Sequence, residues 1–441
     1  MGEGRKGSRD RLIEAMIVTA ARYGYGGAGV ARVLRQAGAS RATFYKHFAN
    51  REACFAAAYR RVRDEGLQAL AAAPEGSSLA TLEALLGGAE RNPAGARVFF
   101  IESLAAGAEI RREHEETLGA LEQALEARLD AAASAGQRLE LPARLLFGGV
   151  AGVIALRVFR GEAGRLSALS EDLLAWSASY ALPADAPRRD STAWEEVGRG
   201  LGSSVGESLG TDLFKQRLPR GRSALPPTQA AGEQRERILA AVASLAKEKG
   251  YAAMSVADIV ATAGVTRETF YEQFRGKEDA FLATQAFGLE ASVSLTAGKF
   301  FNEEAWPERV WSGLEAMFGY ISAQRTLVYV DLAESWAAGP AAIRRSLENR
   351  MAYTIFLEEG YRQRPEAKRL PRLTSEAISG AMQELFRRQV ALGRSARMLE
   401  LLPQAAYLTL APFIGPGAAL ELIEAKMQTL SPRSPGSPGG G

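Results

Sequence analysis

A chain of 441 residues is too long for one ordinary domain and suits two units of about 200 residues each. Hydrophobic residues make up 47%, charged residues 24%, and the formal net charge is only +3; a single cysteine, Cys54, excludes an intramolecular disulfide and suits a small buried apolar position. The N-terminus lacks the apolar core of a secretion signal, and no run of ~18 uninterrupted apolar residues suggests a membrane span, so a cytoplasmic protein with no membrane association is expected. His47 and His114 are the only histidines, and neither a Cys/His metal spacing nor a phosphate-binding glycine motif is present. The sequence therefore offers no catalytic centre, no metal site and no cofactor site. Alanine and leucine are abundant and alternating β-branched runs are missing, which predicts an all-α fold.

In chain order, residues 9–23 place Leu12, Ile13, Met16, Ile17 and Ala20 on one helical face, and Gly24 ends that helix. A short second helix over 30–37 turns Val30, Val33 and Leu34 inward. Gly38 supplies the turn that needs a positive φ. Ser40 is placed to cap a third, very short helix over 41–47. Phe48 and Phe55 read as core plugs that anchor a long helix starting near Arg51.

The same unit returns 226 residues later (271 − 45), with eighteen identities in an ungapped alignment of 9–57 with 235–283. Ile238, Leu239, Val242 and Leu245 form its first stripe and Gly250 its stop; Val256, Ile259 and Val260 line its second helix. Ser255 with Asp258 forms a capping box. Gly264, Thr266, Phe274, Phe281 and Lys277 repeat the turn, the cap, the plugs and the next helix start. Weaker echoes continue: Phe99 to Glu102 with Val330 to Glu334, and Gly149 to Arg157 with Gly380 to Arg388. The expected division is reader 1–60, helical domain 61–218, linker 219–232, reader 233–286, helical domain 287–430 and disordered tail 431–441. Pro183 to Thr192 is expected to loop out before an extra helix near Trp194–Arg217.

Helix, Gly, helix, Ala-Gly, then [Ser/Thr]-Arg-x-Thr-Phe-Tyr-x-x-Phe-x-x-[Arg/Lys]-Glu: this pattern resembles the TetR family of bacterial transcription regulators, over about 50 residues per copy. The resemblance implies two tandem units, each a three-helix helix-turn-helix domain followed by a helical ligand-binding and dimerisation domain. It further implies a recognition helix at 41–47 and 267–273 set in the major groove of double-stranded DNA. Arg41 and Arg267 are candidates for guanine, and Thr43 and Thr269 for a thymine methyl or a phosphate. Tyr45, Tyr271, Arg51 and Lys277 are implied phosphate contacts. Ser40, Thr266, Lys46, His47 and Gln273 complete the expected DNA-binding set. The copies differ in charge. Residues 1–60 carry eleven Lys/Arg against four Asp/Glu (+7), and residues 233–286 carry seven against eight (−1). The first copy should thus dominate affinity, while Glu268 and Glu272 burden the second.

A tandem implies intramolecular pairing through 143–160 with 165–181 and 374–392 with 397–412; a homodimer of chains is the alternative. The family further implies a small-molecule effector acting on a repressor, and the many aromatics in these helices suit an effector of apolar or aromatic type. Candidate pocket residues are Phe99, Glu102, His114, Phe147 and Trp176 in the first unit, and Phe318, Tyr329, Trp336, Tyr353 and Phe386 in the second. The alternative function is a regulator whose second reader has lost DNA binding and serves in pairing, sensing or partner sequestration.

Overall fold

The computed structural model describes residues 7–74, 77–133, 137–139, 141–183 and 227–430. The tail at 431–441, the extra helix near 194–217, most of the preceding loop and the first part of the linker lie outside these residues. The described residues are all-α apart from one small ribbon, Gln137–Leu139 (β1) paired antiparallel with Ala181–Pro183 (β2).

The first unit runs α1 (Ser8–Gly27), α2 (Val30–Ala37), α3 (Arg41–His47), α4 (Arg51–Ala71), α5 (Ser78–Arg91), α6 (Pro93–Arg97), α7 (Ser103–Ala105), α8 (Ala108–Ala133), α9 (Ala143–Arg160) and α10 (Ser170–Ala178). The second runs α11 (Pro227–Ala253), α12 (Val256–Ala263), α13 (Arg267–Gln273), α14 (Lys277–Phe300), α15 (Trp306–Ala323), α16 (Arg325–Tyr329), α17 (Ser335–Ala338), α18 (Pro340–Ala352), α19 (Leu373–Ala391), α20 (Leu402–Ile414) and α21 (Pro416–Leu430). One boundary shifts. Residues 227–232, expected as linker, open α11, because Pro227 occupies the first helical position, where its fixed φ and missing N–H cost nothing.

The two readers have separate cores, each continuous with part of its own helical domain. In the first, Leu12, Ile13, Met16, Val33, Phe44, Phe48 and Phe55 pack together; in the second, Ile238, Leu239, Val242, Ile259, Phe270, Phe274 and Phe281 do the same. Both first helices carry a break, at Gly24 (φ 75°) and Gly250 (φ 79°). The helical domains share a second irregularity: a single π turn, Val98–Glu102 in one unit and Val330–Glu334 in the other. The spacing between these turns is 330 − 98 = 232, so the second copy gained residues upstream of them.

The helical domains meet through α9 and α19, whose crossing is close enough that only glycine fits. A Cβ on Gly152 would lie 2.6 Å from the Gly380 Cα, and one on Gly148 would lie 2.9 Å from the Glu384 Cβ. Polar contacts ring this seam. Arg157 makes a two-pronged contact with Glu376 at 2.8 and 2.9 Å, Arg387 meets Glu115 at 2.6 Å, and Arg388 meets Glu122 at 3.0 Å. Tyr180 donates its hydroxyl to the Leu408 carbonyl at 2.7 Å.

Candidate nucleic-acid interface and effector cavity

The recognition helices are short because both ends are fixed locally. The Ser40 hydroxyl accepts from the Thr43 N–H, and the Thr266 hydroxyl from the Thr269 N–H, each at 3.1 Å. Gly38 (φ 59°) and Gly264 (φ 62°) make the turn into them. Ser255 and Asp258 form the reciprocal capping box on α12, for which the first reader has no equivalent at Gly29. Phe44 and Phe270 point inward and are fully buried, which leaves Arg41, Tyr45 and Lys46, and likewise Arg267, Glu268, Tyr271 and Glu272, on the outer face. Tyr45 is 58% and Tyr271 48% exposed, unusual for aromatic rings and consistent with a surface that meets a partner.

Other members of the expected DNA set are engaged within the protein. The Nε2 of His47 lies 2.6 Å from the Ser8 hydroxyl, and Gln273 donates to the Ala231 carbonyl at 2.9 Å, so both side chains tie the recognition helix to the start of the first helix. Arg51 sits over the Tyr25 ring at 4.5 Å and donates to the Tyr25 carbonyl at 3.3 Å. Lys277 sits over Tyr251 at 4.2 Å and donates to the Tyr251 and Met254 carbonyls, both at 2.9 Å; burial lowers its pKa. These cations close the end of the first helix, where orphan carbonyls need donors. Asn50, which caps α4 through the Ala53 N–H at 2.8 Å, is a further reader residue that the sequence pattern did not single out.

The readers are coupled to the helical domains by one repeated device. From the π turn, buried Glu102 accepts the Tyr25 N–H at 2.7 Å and pairs with Arg97 at 3.0 Å. In the second unit Glu334 accepts the Tyr251 N–H, also at 2.7 Å. Each of these N–H groups follows the positive-φ glycine of the helix break, where no intrahelical partner is available. Burial pushes the Glu102 carboxyl up, and Arg97 pulls it back down. Glu102, an expected pocket residue, is a tether instead.

The second helical domain contains a cavity of about 160 Å³, and the first one of about 50 Å³. Of the expected pocket residues, Tyr353 and Phe386 line the larger cavity, while Phe147 and Trp176 line the smaller. Phe99, Glu102, His114, Phe318, Tyr329 and Trp336 line neither. The reason is packing. Phe99 stacks on Tyr59 with ring centroids 5.9 Å apart, and His114 meets the same pair edge-on, 3.3 Å from the Tyr59 hydroxyl. Burial pushes the His114 imidazole down to about 3. Phe318 packs edge-on against Phe386 at 5.1 Å. Sequence reasoning missed the cavity's polar wall, Gln285, Asp331, Ser346, Asn349 and Arg350. Aligning the copies beyond the readers would have flagged part of it, because Gln285, Asp331 and Ser346 stand opposite Tyr59, Phe99 and His114 in the duplicate.

Two exposed, capped helices, each on a three-helix unit, have the geometry of helix-turn-helix readers. The family model described as bacterial regulatory proteins, tetR family, matches residues 12–58 and again 238–284. Both readers belong to that family, and the chain is a tandem of two TetR-like units. Similar solved structures include the fatty acid degradation regulator FadR from Bacillus halodurans, at 20% identity over 43% of this chain and 97% of that one, with a TM-score of 0.38. A transcriptional regulator from Rhodococcus sp. Rha1 is 22% identical over 40% of this chain and 98% of that one, with a TM-score of 0.34. No curated protein matches the chain. Among the described residues no helix is long and apolar enough to cross a membrane.

Proposed function

We propose that the chain is a ligand-responsive repressor whose two units act as a covalent pseudo-dimer on an operator with two half-sites. The observation that supports this reading most is the α9–α19 seam, where glycine contact and cross-unit ion pairs join the two reader-bearing bodies. Joining both halves in one chain removes the concentration requirement for pairing and lets each half diverge. The proposed DNA face is Ser40, Arg41, Thr43, Tyr45 and Lys46 with Thr266, Arg267, Thr269 and Tyr271. His47, Gln273, Arg51 and Lys277 act by holding each recognition helix in its pose. The first reader supplies most of the phosphate attraction. Effector binding in the second unit tilts α14, which leads from that cavity to the second reader, and lowers operator affinity.

The test is selection of bound sequences from a random duplex library by the full-length chain. Two unlike half-sites about one helical turn (~34–36 Å) apart are expected. A symmetric palindrome would overturn the single-chain pairing. A lone half-site would favour a second reading, motivated by Glu268 and Glu272 on the exposed face of α13: the second reader pairs and senses without touching DNA.

A further inference from the structure

The large cavity has a polar end around Gln285 and Asp331, where a buried acceptor lacks a donor. Asp331 lies at that end, where its Oδ1 accepts from the Gln285 amide at 3.1 Å and the Asn349 amide at 3.3 Å. An ionised carboxylate offers about four lone-pair sites, so these amides leave it capacity for a further donor. The Gln285 amide cannot be turned around. Its nitrogen donates to Asp331, to the Ser335 hydroxyl at 2.6 Å and to the Ala342 carbonyl at 3.3 Å, and a flip would set an oxygen against the carboxylate and the carbonyl. The Gln285 Oε1 is buried without a hydrogen-bond partner, an arrangement that costs free energy and that a donor would relieve. Burial pushes the Asp331 carboxyl up to about 6, and the groups that pull it back are the Gln285, Asn349 and Ser346 side chains, none of them a cation. Phe300, Val310, Leu314, Met317 and Phe356 give the space an apolar side, while Thr296, Thr354, Ser379 and Gln383 also line it.

We propose that this cavity takes a small amine, with a protonated nitrogen donating to Asp331 and Gln285 Oε1 and a single-ring or short aliphatic body against the apolar wall, and that the second unit alone carries this sensor. The inference rests on the ligand-responsive reading above and names its effector class. An ammonium brings three donors and a charge to the end of the cavity where the Gln285 Oε1 has no partner and the Asp331 carboxylate is met only by neutral groups. A cavity of about 160 Å³ is comparable with the ~150 Å³ space known to hold benzene, which points to a body of about one ring. An anionic ligand has only one argument in its favour, the buried Arg350 Nε that lacks a partner. That guanidinium is otherwise engaged, with Gln383 at 3.2 Å and with the Gly152 carbonyl across the seam at 2.7 Å. A carboxylate reaching it would also have to share the cavity with Asp331.

The first unit excludes the same ligand by substitution at matching positions. Subtracting the offset before the insertion gives 285 − 226 = 59, and the offset after it gives 331 − 232 = 99 and 346 − 232 = 114. Gln285, Asp331 and Ser346 therefore correspond to Tyr59, Phe99 and His114, which fill the space with their own rings.

The experiment is calorimetric titration of the full-length chain with benzylamine, cyclohexylamine, benzoate and toluene, repeated on Asp331→Asn and Gln285→Met variants whose folding is checked by circular dichroism. Both amines should bind with one site per chain. Asp331→Asn should weaken them by at least about tenfold, the scale of one charge-assisted hydrogen bond, and Gln285→Met should weaken them less. Tighter binding of benzoate or toluene, two amine sites per chain, unchanged amine affinity in both variants, or no binding by any of the four overturns the assignment. Operator affinity measured beside each titration separates the two layers. Amine that binds through Asp331 without loosening DNA keeps the ligand class and removes the ligand-responsive reading. Benzoate that loosens DNA keeps that reading and removes the ligand class.

Discussion

The two helical domains are copies of one design, and they differ where three side chains meet at their centres. In the first, Tyr59, Phe99 and His114 close the space with stacked and edge-on rings. In the second, Gln285, Asp331 and Ser346 leave a cavity with a polar head. Both domains keep the same π turn and the same glutamate tether to the reader. A duplicated fold thus retains its frame through backbone geometry while a few core positions set whether its centre is packed solid or hollow. The readers show the complementary case. Their cores place apolar residues at matching positions and the recognition-helix caps recur, while they diverge in surface charge, +7 against −1.

The sharpest break in this comparison is truncation at matching positions. Phe99→Ala removes a ring from a filled core and should cost about 3–4 kcal/mol, whereas Asp331→Ala, beside an existing cavity, should cost less than ~1 kcal/mol or stabilise; urea midpoints of the two variants check this. Near-equal losses would mean that the two centres are energetically alike. The next effect is electrostatic. The Asp331 carboxyl is raised from 3.8 to about 6, so the native state binds the extra proton between those values. Stability from the neutral form is therefore present below pH ~4 and lost as pH rises through ~6. At 1.36 kcal/mol per unit the ionised form costs about 3 kcal/mol at most. Asp331→Asn should accordingly raise thermal stability at pH 8 by about 2–3 kcal/mol and leave it unchanged near pH 3.5.

The reader contrast is tested on DNA. Glu268→Gln with Glu272→Gln should raise operator affinity about three- to tenfold at low salt, by removing repulsion from phosphates. Lys46→Gln should instead weaken binding and reduce the salt slope by about 1, read by fluorescence anisotropy across a salt series. No change in either would show that the charge difference lies away from the DNA. The smallest effect should be the same in both halves. Ser40→Ala and Thr266→Ala each remove one N-cap bond of equal length and should each cost about 0.5–1 kcal/mol, seen as faster amide exchange at the start of α3 and α13.

Sequence alone determined the local part of this protein. The all-α fold, the two helix-turn-helix units, the turn glycines at 38 and 264, the caps at Ser40, Thr266 and Ser255 and the plugs at Phe48 and Phe274 all rest on contacts within a few tens of residues. Their residue types follow from helix periodicity and cap chemistry, so they can be read without coordinates. Tertiary structure decided the rest. Periodicity marks an aromatic as apolar, and it does not say whether that ring walls a cavity, as Phe386 does, or packs behind the wall, as Phe318 does. The glutamate tethers join residues 77 and 83 positions apart, and the Gly152–Gly380 contact joins two separate units. Such contacts depend on how finished helices cross, and a helix's own sequence carries its face but not its crossing partner.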